Sequence, residues 1–262
     1  MWTRHSRRQW PTCAVTGSER TFKLIIEYDG TAYHGWQRQG SLPTVQAAIE
    51  RVIAVMTQEP VTLIGSGRTD SGVHALGQVA SFRSRTRLAC SALMQGMNAL
   101  LPEDIVIHSC TEVPPSFHPR HDAISKTYRY NLYNGPVRKA VCRQYAWHIH
   151  RPLDIEAMQQ GLAWVVGTHD FKAFESTGSP RVHTFRTIYR AEMTEENGFV
   201  RIEFTGNGFL RCMVRNLVGT LVEIGLHRYP ASEMHRMIAS RDRKQAGVAA
   251  PAHGLFLVQV QY

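Results

Sequence analysis

From Thr21 onward the chain carries one order of elements twice. A doubled run of strand, helix, strand, strand, helix, strand restricts it to an α+β fold of two similar halves. In the first run, FKLIIEYDG (22–30) has a strand composition that closes on Asp-Gly turn chemistry. TVQAAIERVIAVM (44–56) then sets Val45, Ala48, Ile49, Val52, Ile53 and Met56 on one helical face, with Thr44 as a natural N-cap after Pro43. Strands are expected at 61–65, 77–83 and 104–112, and a helix around 91–101. The second run predicts strands at 125–133 and 143–149, a helix over 154–166, strands at 184–194 and 199–205, and a long helix from 208 to 225. A short helix over 231–239 and a strand at 255–261 complete it. The proline-rich VPPSFHPR (113–120) marks the boundary, giving units 21–113 and 114–262. The repeat lies in element order and not in residue identity.

Residues 1–20 stand outside this scheme, polar and aperiodic, with Arg4, Arg7, Arg8 and Arg20 against Glu19 alone. Lacking an apolar segment, they are no secretory signal and read as a basic, disordered arm. The 262-residue chain has 30 Lys and Arg against 21 Asp and Glu, a net charge of +9. Only five of the thirty are lysines, so the surplus rests on 25 arginines. The guanidinium fork pairs with phosphate and stacks on bases, which makes a polyanion the leading partner class. Five cysteines without C-x-x-C spacing indicate neither a disulfide framework nor a zinc ribbon, and a reducing cytosol is the expected setting. The best apolar stretch, 217–226, is short and broken by Glu223, so no membrane span is expected. His148 with His150, and His118 with His121, lack a third ligand at metal spacing; neither a metal nor a nucleotide cofactor is expected.

The densest polar signal is GSGRTDSGVHALGQVASF (65–82), where glycines and polar residues interrupt one strand before another begins. Ordering such a loop is costly unless its backbone shape is used. Its one carboxylate, Asp70, is flanked by Arg68 and His74. A carboxylate beside an arginine stays ionised, which suits a nucleophile or charge stabiliser and not a general acid. A turn-capping Asp70 with Arg68 as surface partner fits the same pattern. In GNGFLRCMVRNLVGTLVEIG (206–225), Leu210, Val214, Leu217, Val218 and Leu221 form an apolar face. Gly208, Cys212, Arg215, Gly219 and Val222 fall on a neighbouring stripe. Small residues there allow close approach and a buried Arg215, which needs a carboxylate or phosphate; the alternative is an Arg215 that reaches solvent. In SKTYRYNLY (125–133), Tyr128 and Tyr130 share a strand face with Lys126 beside them and Arg129 opposite. That suits a base stacked next to a phosphate, and equally plain core packing.

The GRTDSGVHALGQVASF run resembles the signature of the TruA family of tRNA pseudouridine synthases. FKLIIEYDGTAYHGWQRQ, KTYRY, GNGFLRCMVRNLVGTLVEIG and AGVAAPAHGLFLVQVQY agree with further family segments in order and spacing, so the resemblance covers roughly 21–262. It implies RRM-like halves joined in a continuous central antiparallel sheet flanked by helices, with a cleft between them. It also implies a homodimer that holds tRNA across both subunits and modifies uridines at positions 38, 39 and/or 40 of the anticodon stem-loop. Asp70 would be the nucleophile of a cofactor-independent isomerisation: the N1–C1′ bond breaks, uracil turns, and C5 bonds to C1′. Addition to the ribose, addition to the base and assisted glycal formation all fit. Arg68 resembles the residue that intrudes as the nucleotide flips out, and Tyr128 the tyrosine that stacks on uracil, its hydroxyl a further candidate for removing the C5 proton. Arg215 resembles the basic partner of the aspartate.

Departures from the family pattern fall at Ser66 and Ser71, at Arg211 and Cys212, and at Pro119 and His121. With Arg68, the residues Lys126, Arg129 and Arg211 are the expected RNA contacts. Two rivals remain: a silent RNA-binding module of the same architecture, and a hydrolase using Asp70. The second would require metal-binding carboxylates or a second carboxylate as acid, and the 65–82 loop has one.

Overall fold

The computed structural model describes residues 18–176 and 183–262. β1 (Arg20–Tyr28) alternates as a half-buried strand should, turning Phe22, Leu24, Ile26 and Tyr28 inward. It begins at Arg20, whose guanidinium meets Glu112 at 2.6 Å. Arg20 therefore belongs to the fold and not to the basic arm; residues 1–17 lie outside the described residues. α1 (Val45–Thr57) is capped by Thr44, which accepts the Ala47 amide, and buries Val45, Ile49, Val52 and Ile53. β2 (Ile64–Gly65), β3 (His74–Ser84), α2 (Cys90–Leu100) and β4 (Ile105–Val113) finish the first half. The second half runs β5 (Ser125–Asn134), β6 (Trp147–Ile149), α3 (Ile155–Ala163), β7 (Gly167–Asp170), β8 (Phe185–Glu196), β9 (Phe199–Gly206), α4 (Met213–Gly225), α5 (Glu233–Ser240) and β10 (Leu255–Gln261).

The strands form one sheet in the order β4-β1-β3-β10-β5-β9-β8-β7, with β2 beside β3 and β6 beside β5. The first half reads β4-β1-β3-β2 and the second β10-β5-β9-β8. Leaving out β6 and β7, each half thus places its fourth, first, third and second strands in that order, so the repeat of element order is also a repeat of topology. The sheet is antiparallel except at two seams. β10 runs parallel to β3 through Phe256–His74 and Leu257–Ala75, and β6 parallel to β5. The central seam is parallel because β3 opposes β1 and β10 opposes β5, while β1 and β5 point the same way.

Several boundaries differ from the sequence pattern. The 143–149 strand shrinks to 147–149, since 141–143 are exposed and turn. The 208–225 helix starts only at Met213, because Cys212 takes a left-handed conformation (φ 56°). β3 begins at His74, inside the glycine-punctuated stretch, and is buried along most of its length. β7 and the short 3-10 turn after it (Phe171–Phe174) had no periodic signal to announce them. Among the described residues no helix is long and apolar enough to cross a membrane.

Candidate active site

The turn that carries Asp70 is held from several sides. Ser66 donates its amide to Val79 O (2.7 Å) and its hydroxyl to Gln78 Oε1 (2.7 Å), and buried Gln78 donates back to Gly67 O (3.0 Å). Tyr28 and Thr69 share a hydroxyl hydrogen bond of 2.8 Å, and Trp36 N donates to Thr69 O. Gly35 has φ +86°, and a Cβ there would sit 2.5 Å from Thr69 O, so the DGTAYHGW segment can seat against the turn only with glycine at that position. Two glycine-bearing motifs far apart in sequence thus fix one backbone. Asp70 is left half-exposed, with Val73 N donating to its carbonyl.

Arg215 closes the site from α4. Its Nε donates to Ala250 O at 2.7 Å and its Nη1 to Asp70 Oδ2 at 3.2 Å. The side chain is 19% exposed, and every other residue of α4 is buried. Of the two readings of Arg215, burial against a carboxylate is the one observed. Asp70 lies against the N-terminal turn of α4, the helix end that favours negative charge. Cys212, the N-cap of α4, also donates to Oδ2 at 3.2 Å. Sequence reading missed this contact; its one trace was the departure from the family pattern at that position.

Tyr128 is 8% exposed, its ring edge-on to Phe209 at 5.0 Å. Burial, reinforced by nearby Tyr28 and the Asp70 charge, raises its phenol pKa well above the ordinary value. Tyr130 is wholly buried and donates to Pro251 O, so it serves the core. Lys126 Nζ donates to Ser66 O at 2.6 Å, binding β5 to the Asp70 turn. Arg68 is exposed and is not the cation on Asp70. Arg129 pairs with Glu203 at 2.7 Å, on the strand face opposite Tyr128, and Arg211 is exposed beside the site. Arg68 thus lies in the Asp70 turn, Lys126 is bonded to it through Ser66 O and Arg211 precedes the Cys212 that contacts Asp70, whereas Arg129 is taken up by Glu203 on the other face of β5.

With this geometry in view, comparison with known proteins gives one answer. The chain matches the family described as tRNA pseudouridine synthase over residues 24–122 and 163–262. It belongs to that family. It is similar to tRNA pseudouridine synthase A of Acetivibrio thermocellus, with 48% identity over 93% of this chain and 100% of the relative. The corresponding proteins of Geotalea uraniireducens and Thermoanaerobacter sp. strain X514 are 45% and 42% identical over the same shares of the two chains. In this tRNA pseudouridine synthase the lysine drawn against the Asp70 turn has a measurable alkaline signature. Burial, then the charges of Arg120 and Arg186, lower the Lys126 pKa to about 8. Between that value and the unfolded pKa of about 10.4, the unfolded chain binds the extra proton, so this lysine makes stability rise with pH. Melting curves from pH 7 to 10 should show wild type gaining on Lys126→Met across that window. Parallel curves would contradict the shift.

Proposed function

We propose that this synthase isomerises uridine to pseudouridine at position 38, 39 and/or 40 of the tRNA anticodon stem-loop, with Asp70 as nucleophile, as a homodimer that needs no cofactor. The observation carrying the reading is the half-buried pairing of Asp70 Oδ2 with Arg215, one carboxylate oxygen held and the other without a hydrogen-bond partner among the described residues. An ionised carboxylate in that position can attack the reacting nucleotide, and the guanidinium keeps its charge compensated throughout. The reaction balances internally: N1–C1′ breaks, C5–C1′ forms, C5 loses a proton and N1 gains one. Tyr128, with a pKa raised by burial, keeps its own proton at neutral pH. That favours holding the uracil ring over abstracting the C5 proton. Arg68, exposed two residues before Asp70, fills the gap left by the flipped nucleotide in this reading. Lys126 and Arg211 supply positive charge for flanking phosphates.

The test is incubation of purified protein with unmodified tRNA transcripts in excess EDTA, with pseudouridine mapped by carbodiimide-dependent reverse-transcription stops. Stops at 38–40 are expected. Binding without stops on any transcript would move the reading to the silent RNA-binding module, and stops elsewhere would overturn the anticodon assignment alone. Binding should also fall steeply with salt, on the order of a hundredfold or more between about 50 and 200 mM, as arginines displace condensed counterions. A flat response in a filter-binding titration would exclude a tRNA-sized ligand.

A further inference from the structure

Asp70 receives both of its side-chain donors on one oxygen: Arg215 Nη1 and Cys212 Sγ each lie 3.2 Å from Oδ2. Cys212 reaches it through an uncommon backbone conformation, φ 56° and ψ 8°, in the left-handed region that favours glycine. It is also the N-cap of α4, a position whose side chain ordinarily turns back to cap the helix's own amides. Cys212 makes no such bond. A strained, non-glycine conformation that forgoes capping directs the thiol at the carboxylate, with Ser176 also in contact with it. Burial and the adjacent Asp70 charge push the thiol pKa up, against a lowering contact with Ser176, so the S–H proton is retained for donation.

We propose that Cys212 is a positioning residue for pseudouridylation: with Arg215 it clamps Asp70 Oδ2, so that Oδ1 is the oxygen presented to the nucleotide. The proposal rests on Asp70 being the nucleophile. Glycine is at ease in the left-handed region, so Cys212→Gly removes the thiol while relieving the backbone. Cys212→Ser keeps a donor of similar reach. Single-turnover kinetics on a tRNA transcript, with thermal melts alongside, should show kcat for Cys212→Gly reduced about tenfold, KM within about twofold and melting temperature not lowered, since hydrogen bonds to charged groups are among the stronger ones. Cys212→Ser should stay within about threefold of wild type. A Gly variant with wild-type kcat, or a Ser variant as slow as Gly, overturns the clamp. Asp70→Asn runs in parallel: if it is inactive while Cys212→Gly is unimpaired, only the positioning role fails, and if it turns over normally, the nucleophile assignment itself is wrong.

Discussion

Asp70→Asn is expected to lower pseudouridine formation by at least about 10³-fold while tRNA affinity stays within about twofold. The substitution preserves shape and can still accept from Arg215 and Cys212 through its amide oxygen, so the turn should keep its conformation. What it removes is the negative charge and the nucleophilic oxygen. Asp70→Ala goes further and leaves the Arg215 guanidinium, 19% exposed, with Ala250 O as its remaining acceptor in the site. That variant should lose about 1–2 kcal/mol of stability as well, at the low end for a broken ion pair because Asp70 is 32% exposed. Position-resolved pseudouridine mapping paired with filter binding separates chemistry from affinity. Turnover near wild type in Asp70→Asn would remove the nucleophile from the mechanism.

Gly219→Ala is expected to be the most destabilising single-methyl change near the site. An added Cβ would land inside the Val248 carbonyl oxygen and close on Ala250 N, both backbone atoms that cannot rotate away. Overpacking of this kind costs ~3 kcal/mol. At the entropy of unfolding of a chain this long, that corresponds to a melting temperature lower by about 6–12 °C. Activity should fall with it, because the displaced segment carries Ala250 O, which orients the Arg215 guanidinium. A differential scanning measurement showing Gly219→Ala within about 1 °C of wild type would mean that α4 and the 248–250 segment can separate at little cost.

Gly219, on the stripe of small residues, made that close approach legible in advance, and the apolar face of Val214, Leu217, Val218 and Leu221 was legible for the same reason: both are periodic. The alternation in β1 and the Thr44 cap of α1 were equally readable from local pattern. Local pattern set Arg68 beside Asp70, and it was the family resemblance that pointed to Arg215, the cation observed there. Arg68 is two residues away, yet it is exposed and the ion pair on Asp70 is made by another arginine. Arg215, 145 residues away in sequence, is the partner, and that pairing depends on how the two halves meet. The contact from Cys212 was invisible because it depends on a left-handed backbone angle that a cysteine does not advertise. The parallel seam was hidden for a different reason: strand composition signals a strand, not its neighbour or its direction.

That seam bears on how the protein is made. β10, seven residues long, lies between β3 and β5 near the middle of the sheet, although among the described strands it comes last in chain order. Translation delivers β3 and β5 long before the strand that joins them. Until β10 emerges, the ladder edge of β5 from Ser125 to Tyr130 and the start of β3 stand open, and open edges recruit other chains. A ribosome that stalls after residue 250 would therefore hold a protein with Asp70, Tyr128, Cys212 and Arg215 already made, yet with its two half-sheets unjoined and prone to aggregate. A strand made after both of its neighbours works as the keystone of the sheet.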